Sequence, residues 1–172
     1  MKTKIKKIAI ITIAAITMNM TANAQERGDM AVGANMVVQM VEDYTHTGIG
    51  AKFLYNATYL LRFAGEFDYF PKKDLLSMWD FSAYAHYLFP VTYRAVIYPS
   101  VGLGLLGIKN NDPNLDTNIY KRTDFAVPFT LGIGADYELS SNLILNGEAR
   151  YKIFGSSTKN YFKFAIGLAY KF

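Results

Sequence analysis

From residue 28 onward the chain alternates large apolar side chains with small or polar ones, segment after segment. In GDMAVGANMVVQM the even positions Met30, Val32, Ala34, Met36, Val38 and Met40 are apolar, and Gly33, Asn35 and Gln39 lie between them. TGIGAKFLYN sets Ile49, Ala51, Phe53 and Tyr55 against Gly50, Lys52 and Asn56. YLLRFAGEFDYF sets Tyr59, Leu61, Phe63, Phe67 and Tyr69 against Arg62, Ala64, Glu66 and Asp68. MWDFSAYAHYLF sets Trp79, Phe81, Ala83, Ala85, Tyr87 and Phe89 against Asp80, Ser82, Tyr84 and His86. YRAVIYPSVGLGLL, DFAVPFTLGIGADYEL, NLILNGEARYKIF and the terminal YFKFAIGLAYKF repeat the scheme. A period of two means a strand with one apolar face, and eight such strands are predicted. Pro99 and Pro128 interrupt two of them; proline removes a ladder donor, so each predicts a bulge or an edge.

The connections predict how these strands are joined. Asn56-Ala57-Thr58, Pro90-Val91-Thr92 and Ser140-Ser141-Asn142 read as short turns. VEDYTHTG, FPKKDLLS, KNNDPNLDTNIYKRT and GSSTKN read as longer polar loops. Short turns at one end and longer loops at the other suit an up-and-down barrel whose two termini share the short-turn end.

An apolar strand face can meet a protein core or lipid, and the opposite face decides which. A soluble calyx or sandwich shows that face to bulk water and fills it with Lys, Glu, Thr and Gln. Here it carries Gly33, Gly48, Gly50, Ala64, Gly102, Gly104, Gly132, Gly134, Ala165, Gly167 and Ala169, with charges set singly among them. Small residues fit the crowded interior of an eight-stranded barrel, whereas glycine on a wet exterior only weakens the strand. Aromatic placement agrees. Tyr55, Tyr59, Tyr87, Phe89, Tyr93, Tyr137, Tyr170 and Phe172 are expected near the short turns. Tyr69, Trp79, Phe125, Tyr151 and Phe162 are expected near the long loops, with Ile49, Leu61, Ala83, Ile97, Leu131, Leu145 and Ile166 between. Two aromatic girdles around an aliphatic band match the two bilayer interfaces. The predicted fold is all-β: an eight-stranded antiparallel up-and-down transmembrane barrel.

Composition changes the picture at the N-terminus. MKTKIKK is basic, IAIITIAAITM is apolar, and Ala22-Asn23-Ala24 supplies small residues; this is the order of a cleavable signal peptide. The apolar run is shorter than the roughly 20 residues a spanning helix needs. The expected division is a signal peptide over residues 1–24 and a barrel domain over residues 25–172, exported by the general secretory route. Four of the 18 basic residues fall in the leader and none of the 14 acidic ones do, so the remainder carries equal numbers of each. That balance gives no support for nucleic-acid binding. There is no cysteine, so no disulfide framework exists.

The candidate chemistry lies on the small-residue face. Arg62, Glu66, Asp68, Asp80, Arg94, Glu148, Arg150, Lys152 and Lys163 are all expected to point into the lumen, with His86 as a further hydrogen-bonding member. Unpaired charges in so narrow a space are costly, so a structural network of ion pairs is expected, plugging the lumen. The sharper alternative is a narrow gated channel. A lipid-modifying enzyme is a third reading, but Ser82 and His86 lie four residues apart on one strand face, roughly 13 Å at the usual strand rise, too far for a nucleophile and its base. Glu42, Asp43 and His46, or Asp112 and Asp116, lack a metal-ligand spacing. No catalytic residue, metal or cofactor is expected.

The strings YPSVGLGL, LGIGADYELSSNLILNGEARYKI and FAIGLAYKF resemble the small outer-membrane β-barrel family of the OmpA/OmpX type. The shared features are a GxGxxY strand (Gly132, Gly134, Tyr137), a short turn, a strand carrying Glu148-Ala149-Arg150-Tyr151, and a terminal aromatic. The resemblance implies a Gram-negative outer membrane and contact with its lipid. It also implies delivery to the barrel-assembly machinery through Tyr170 and Phe172. By the same resemblance the external loops could meet an extracellular partner in an adhesion-like role. Lys109, Asp112, Asp116, Tyr120, Lys121 and Arg122 of the longest loop are the contact candidates.

Overall fold

The structure is a computed structural model and describes residues 27–41, 44–73, 76–110, 123–155 and 159–172. The proposed leader, residues 1–24, lies outside them. Ten strand segments follow in chain order: β1 (Met30–Val41), β2 (Tyr44–Asn56), β3 (Leu61–Lys73), β4 (Leu76–Tyr87), β5 (Phe89–Pro90), β6 (Ala95–Asn110), β7 (Thr123–Ala126), β8 (Phe129–Ser140), β9 (Leu143–Ile153) and β10 (Tyr161–Lys171). The order β4-β3-β2-β1-β10-β9-β8-β6 returns to β4 through an antiparallel β4–β6 ladder, so the sheet closes on itself. β5 prolongs β4 and β7 precedes β8, both pairing with β6. Ten segments therefore make eight staves of one closed antiparallel barrel. Closure leaves no unpaired edge among the described strands, which a bilayer would penalise severely.

Both breaks sit at proline. The β4–β6 ladder ends at His86–Ser100 and resumes as β5 at Phe89–Ile97, so the gap faces Pro99. On its other side Pro99 keeps register with Ile133. Proline lacks the N–H for one neighbour only, and one ladder is interrupted. Val127 and Pro128 separate β7 from β8, and the Gly104 N–H donates to the Pro128 carbonyl at 3.0 Å.

The three turns at the terminus-bearing end are built from local hydrogen bonds. The Thr58 hydroxyl accepts from the N–H groups of Leu60 and Leu61, at 3.2 and 2.9 Å. Thr92 repeats the device with Arg94 and Ala95, at 3.2 and 3.0 Å. Threonine thus caps both turns by competing with the ladder for backbone donors. Tyr59 and Tyr93 ride on these turns, one residue after the threonine, rather than on strands as expected.

The other end differs from the sequence expectation. Tyr44–Gly48, read as loop, belong to β2 and pair with Val41–Val37. β6 runs on to Asn110 and β3 to Lys73. The polar composition there marks strands that run on past the expected loop boundaries, and residues 111–122 lie outside the described residues.

Alternation is kept in three dimensions. Val32, Met36, Phe53, Phe67, Phe81, Leu131, Ile133, Ile166 and Leu168 all face outward and are exposed, while their strand neighbours are buried or half-buried. Tyr55, Tyr87, Tyr137 and Tyr170 are exposed at the terminus-bearing ends of their strands. At the far end Trp79 lies across Gly107 of the next stave, where a Cβ would collide with the indole, and meets Phe125 edge-on at 6.0 Å. The band between departs from the purely aliphatic one that the sequence predicts, because Phe53, Phe63, Phe67, Phe81 and Phe164 project from it. Phenylalanine has no polar tip and is at home in hydrocarbon; the tyrosine hydroxyl needs the interface.

The lumenal charge network as candidate functional site

The inward face of every stave contributes to one connected polar cluster. Its charges balance: Lys52, Arg62, Arg150, Lys152 and Lys163 against Glu66, Asp68, Asp80, Asp136 and Glu148, all buried. Lys163 on β10 is the hub at the loop-bearing side. Its ammonium donates to Glu66 at 2.7 Å, contacts Asp68 closely and lies 3.7 Å from Asp80. Lys152 pairs with Asp80 and donates to the Ser82 hydroxyl at 3.0 Å. Asn35 on β1 donates to Asp68 at 3.4 Å. Arg150 forks between Glu66, at 2.8 Å, and Glu148, and its guanidinium lies 3.8 Å from the centroid of the Tyr84 ring.

Glu148 carries the network toward the termini. Lys52 on β2 stands 3.3 Å from it and donates to Asn146 at 2.9 Å. The Tyr98 hydroxyl on β6 lies 2.8 Å from Glu148 and 3.1 Å from Asp136 of β8. Arg62 pairs with Asp136 at 2.5 Å, gives its Nε–H to His86 Nδ1 at 3.2 Å, and covers the Tyr98 ring at 4.5 Å. Glycine makes room for this packing: a Cβ on Gly134 would strike Tyr98, and one on Gly102 would strike Tyr84. Burying ten charges is tolerable only because each has an opposite partner within reach; removing one partner of such a pair costs about 3–5 kcal/mol.

Of the residues picked out by sequence, Arg62, Glu66, Asp68, Asp80, His86, Glu148, Arg150 and Lys152 converge here, together with Lys163. Arg94 does not. It lies exposed in the turn before β6, its guanidinium 5.3 Å from the centroid of the Tyr93 ring. The Thr92-capped turn takes residues 91–94 out of the ladder, so the alternation that assigned Arg94 inward does not reach it. Lys52, Tyr98 and Asp136 are network members that the sequence put on the correct face but did not single out.

Ser82 and His86 take different partners. The serine hydroxyl donates to Asp80 at 2.7 Å, and the histidine ring stacks on Tyr98 at 4.5 Å. No nucleophile–base pair is formed between them. At the rim, Phe172 and Tyr170 point outward and exposed. The Phe172 N–H donates to Met30 at 3.0 Å and the Lys171 N–H to Asn142 at 2.8 Å, so the last residues are tied to both neighbouring staves. Of the loop candidates, Lys109 lies in β6 opposite Ser77 and Thr123. Asp112, Asp116, Tyr120, Lys121 and Arg122 lie outside the described residues, as do Glu42 and Asp43.

Solved structures share this architecture. The N-terminal β-barrel domain of OprF from Pseudomonas aeruginosa aligns with a TM-score of 0.70 at 16% identity, covering 86% of this chain and 100% of that one. OprG from the same organism gives 0.62 at 14% identity, covering 87% and 98%. Ail, the attachment invasion locus protein of Yersinia pestis, solved with the heparin analogue sucrose octasulfate, gives 0.58 at 15% identity, covering 85% and 99%. A search of curated proteins returned no match. The family described as outer membrane protein beta-barrel domain matches residues 8–172. A closed eight-stave barrel with an apolar outer wall, matched to that family over nearly its whole length, identifies the chain as a member of the outer membrane β-barrel family, resident in the Gram-negative outer membrane.

Proposed function

We propose that this protein is a structural component of the envelope that holds a closed barrel in the outer membrane and offers its external strand extensions and loops for contact, without catalysis. The single observation that carries this reading is the filled lumen: among the described residues all eight staves send side chains into one buried, charge-balanced cluster, which supports a lumen closed to free solute flow. A planar-bilayer recording of the purified protein should give no large steady conductance; a stable porin-sized open state would refute it.

The extension of β6 to Asn110 and the connection over residues 111–122 form the favoured contact surface, with Lys109, Asp112, Asp116, Tyr120, Lys121 and Arg122 as candidates. The binding of a heparin analogue by Ail supports an extracellular partner for a barrel of this shape. Replacing residues 111–122 by a short Gly/Ser linker should abolish surface binding while the barrel still inserts; unchanged binding argues against that surface. Membrane lipid covers the apolar wall, and the exposed Tyr170 and Phe172 at the end of β10 serve delivery to the barrel-assembly machinery. Phe172→Ala is expected to lower the yield of inserted barrel; an unchanged yield would remove that role.

A further inference from the structure

The outer wall is recessed at one place. On β8 and β9 three neighbouring wall positions carry small residues, Ala135, Gly147 and Ala149. Ala135 and Gly147 are register partners, and Ala149 follows on the same face of β9. A Cβ on Gly147 would meet nothing within 4 Å, whereas one on the lumenal Gly132 or Gly134 would collide with side chains. Beside this floor the sheet is interrupted. Phe89 of β5 and Pro99 of β6 flank the gap in the β4–β6 ladder, and with Ile97 they form the side of the recess. The result is an almost wholly apolar hollow of about 540 Å³. Clefts that hold small ligands run from about 300 to 1,000 Å³.

The strands place this hollow in one half of the bilayer. Ile97 is the third residue of β6 and Gly147 the fifth of β9, both counted from the terminus-bearing end. Below it, the turn before β6 brings Tyr93 and Arg94 to the interface, both exposed, with the guanidinium 5.3 Å from the ring centroid. The Glu138 N–H donates to the Arg94 carbonyl at 2.8 Å, which fastens the turn to the end of β8. Lys171, a second cation on this rim, is held by Asp29 and Glu138, at 3.6 and 3.3 Å. Among the described residues no carboxylate pairs directly with Arg94. Arg94 precedes Ile97 by three residues, roughly 10 Å along a strand. A cation at headgroup level thus stands one short step below an empty apolar recess.

We propose that the hollow is a site for one phospholipid of the leaflet at the terminus-bearing end. An acyl chain lies over Ala135, Gly147 and Ala149, and the phosphodiester meets Arg94 and Tyr93. Arginine offers paired donors that match phosphate oxygens, and tyrosine belongs at the headgroup level. Within a bilayer the gain is contact: an unfilled recess forfeits dispersion attraction that a thin, flexible chain recovers. A second barrel fits less well. The exposed Ile97 and Ile133 would hold its convex wall off the floor, and a two-fold axis through the patch would bring both copies' Arg94 to the same rim. The site needs only the barrel's seat in the membrane, not the contact role proposed above.

The test reconstitutes the full chain in vesicles of phosphatidylethanolamine and phosphatidylglycerol, extracts it in mild detergent and weighs it intact by native mass spectrometry. Bound phospholipid is counted for the native chain, Gly147→Phe, Arg94→Gln and Gly65→Phe. Gly65 lies on the wall of β3 between Phe63 and Phe67, and a Cβ there also meets nothing within 4 Å, so Gly65→Phe adds the same bulk away from the hollow. One phospholipid is expected on the native chain and on Gly65→Phe. The retained fraction should fall roughly fivefold or more in Gly147→Phe, whose ring takes the chain's place, and about twofold in Arg94→Gln, whose charge is exposed. Retention unchanged by Gly147→Phe, or lost equally in Gly65→Phe, would mean adventitious lipid only and overturn the site. Unchanged retention in Arg94→Gln would overturn the phosphate contact and the phospholipid with it. A native dimer that Gly147→Phe separates would overturn it by making a second copy the occupant. Heat-modifiable migration is checked for every variant. If Gly147→Phe loses it, Ala135→Leu fills the same hollow from β8, and retention equal to native there overturns the proposal.

Discussion

The outer wall and the lumen are built from the same strands, one residue apart, yet they obey different rules. On the wall, Ile133, Leu131, Ile166 and Phe164 need only be apolar, because lipid is a fluid partner that adapts to any shape. In the lumen, Lys163 answers to three particular carboxylates and Arg150 to two. Composition is enough to specify the first surface; only pairing specifies the second. The same contrast recurs within the lumen, where an outer tier at the loop-bearing end, Phe70, Met78, Leu106, Phe154 and Tyr161, is joined by packing and the middle tier by charge.

The largest effect is expected at the hub. Lys163→Met leaves buried Asp68 without its cation and takes one of two cations from Glu66 and Asp80, and should cost about 3–5 kcal/mol in a denaturant titration of the vesicle-inserted barrel. A loss below about 1 kcal/mol would mean that the network is solvated and loosely coupled. Next comes the wall: Ile166→Arg, facing mid-bilayer, should cost about 2–4 kcal/mol, against little for Ile166→Leu. Equal losses for the two would contradict a lipid-facing Ile166. Smaller again are the turns. Thr58→Ala and Thr92→Ala each remove an acceptor for two N–H groups and should cost about 0.5–1.5 kcal/mol apiece. Because the two turns are far apart in the chain and share no partner, the double variant should be additive. The smallest change belongs to Arg94→Gln, within about 0.5 kcal/mol, since that residue is exposed outside the network. A loss matching that of a buried pair would return it to the lumen.

The faces were legible in the sequence because strand parity leaves a side chain only two directions. Glu148 and Arg150 could be sent inward from NLILNGEARYKIF alone. Parity fails where the ladder stops, and Arg94, one residue before β6, shows the failure. The partners were not legible, because the pairs cross the barrel: Lys152 and Asp80 are 72 residues apart, and Lys163 and Glu66 are 97 apart. No local spacing encodes such a contact; it appears only once closure and stagger are fixed. The outer apolar tier left a signal that simple alternation overlooks. Phe70, Met78, Leu106 and Tyr161 occupy inward parity, where small or polar residues are the rule, and all fall toward the loop-bearing ends of their strands. Large apolar residues out of phase with the wall mark where a lumen is capped.

The account depends on the direction in which alternate side chains point, and β10 tests it in the fewest steps. With no native cysteine, each position from Phe162 to Tyr170 can carry a single spin label in the vesicle-inserted barrel. Collision with dissolved oxygen, which concentrates in hydrocarbon, should peak at Phe162, Phe164, Ile166, Leu168 and Tyr170 and fall at Lys163, Ala165, Gly167 and Ala169. A flat profile, or peaks at Lys163 and Ala165, would contradict it.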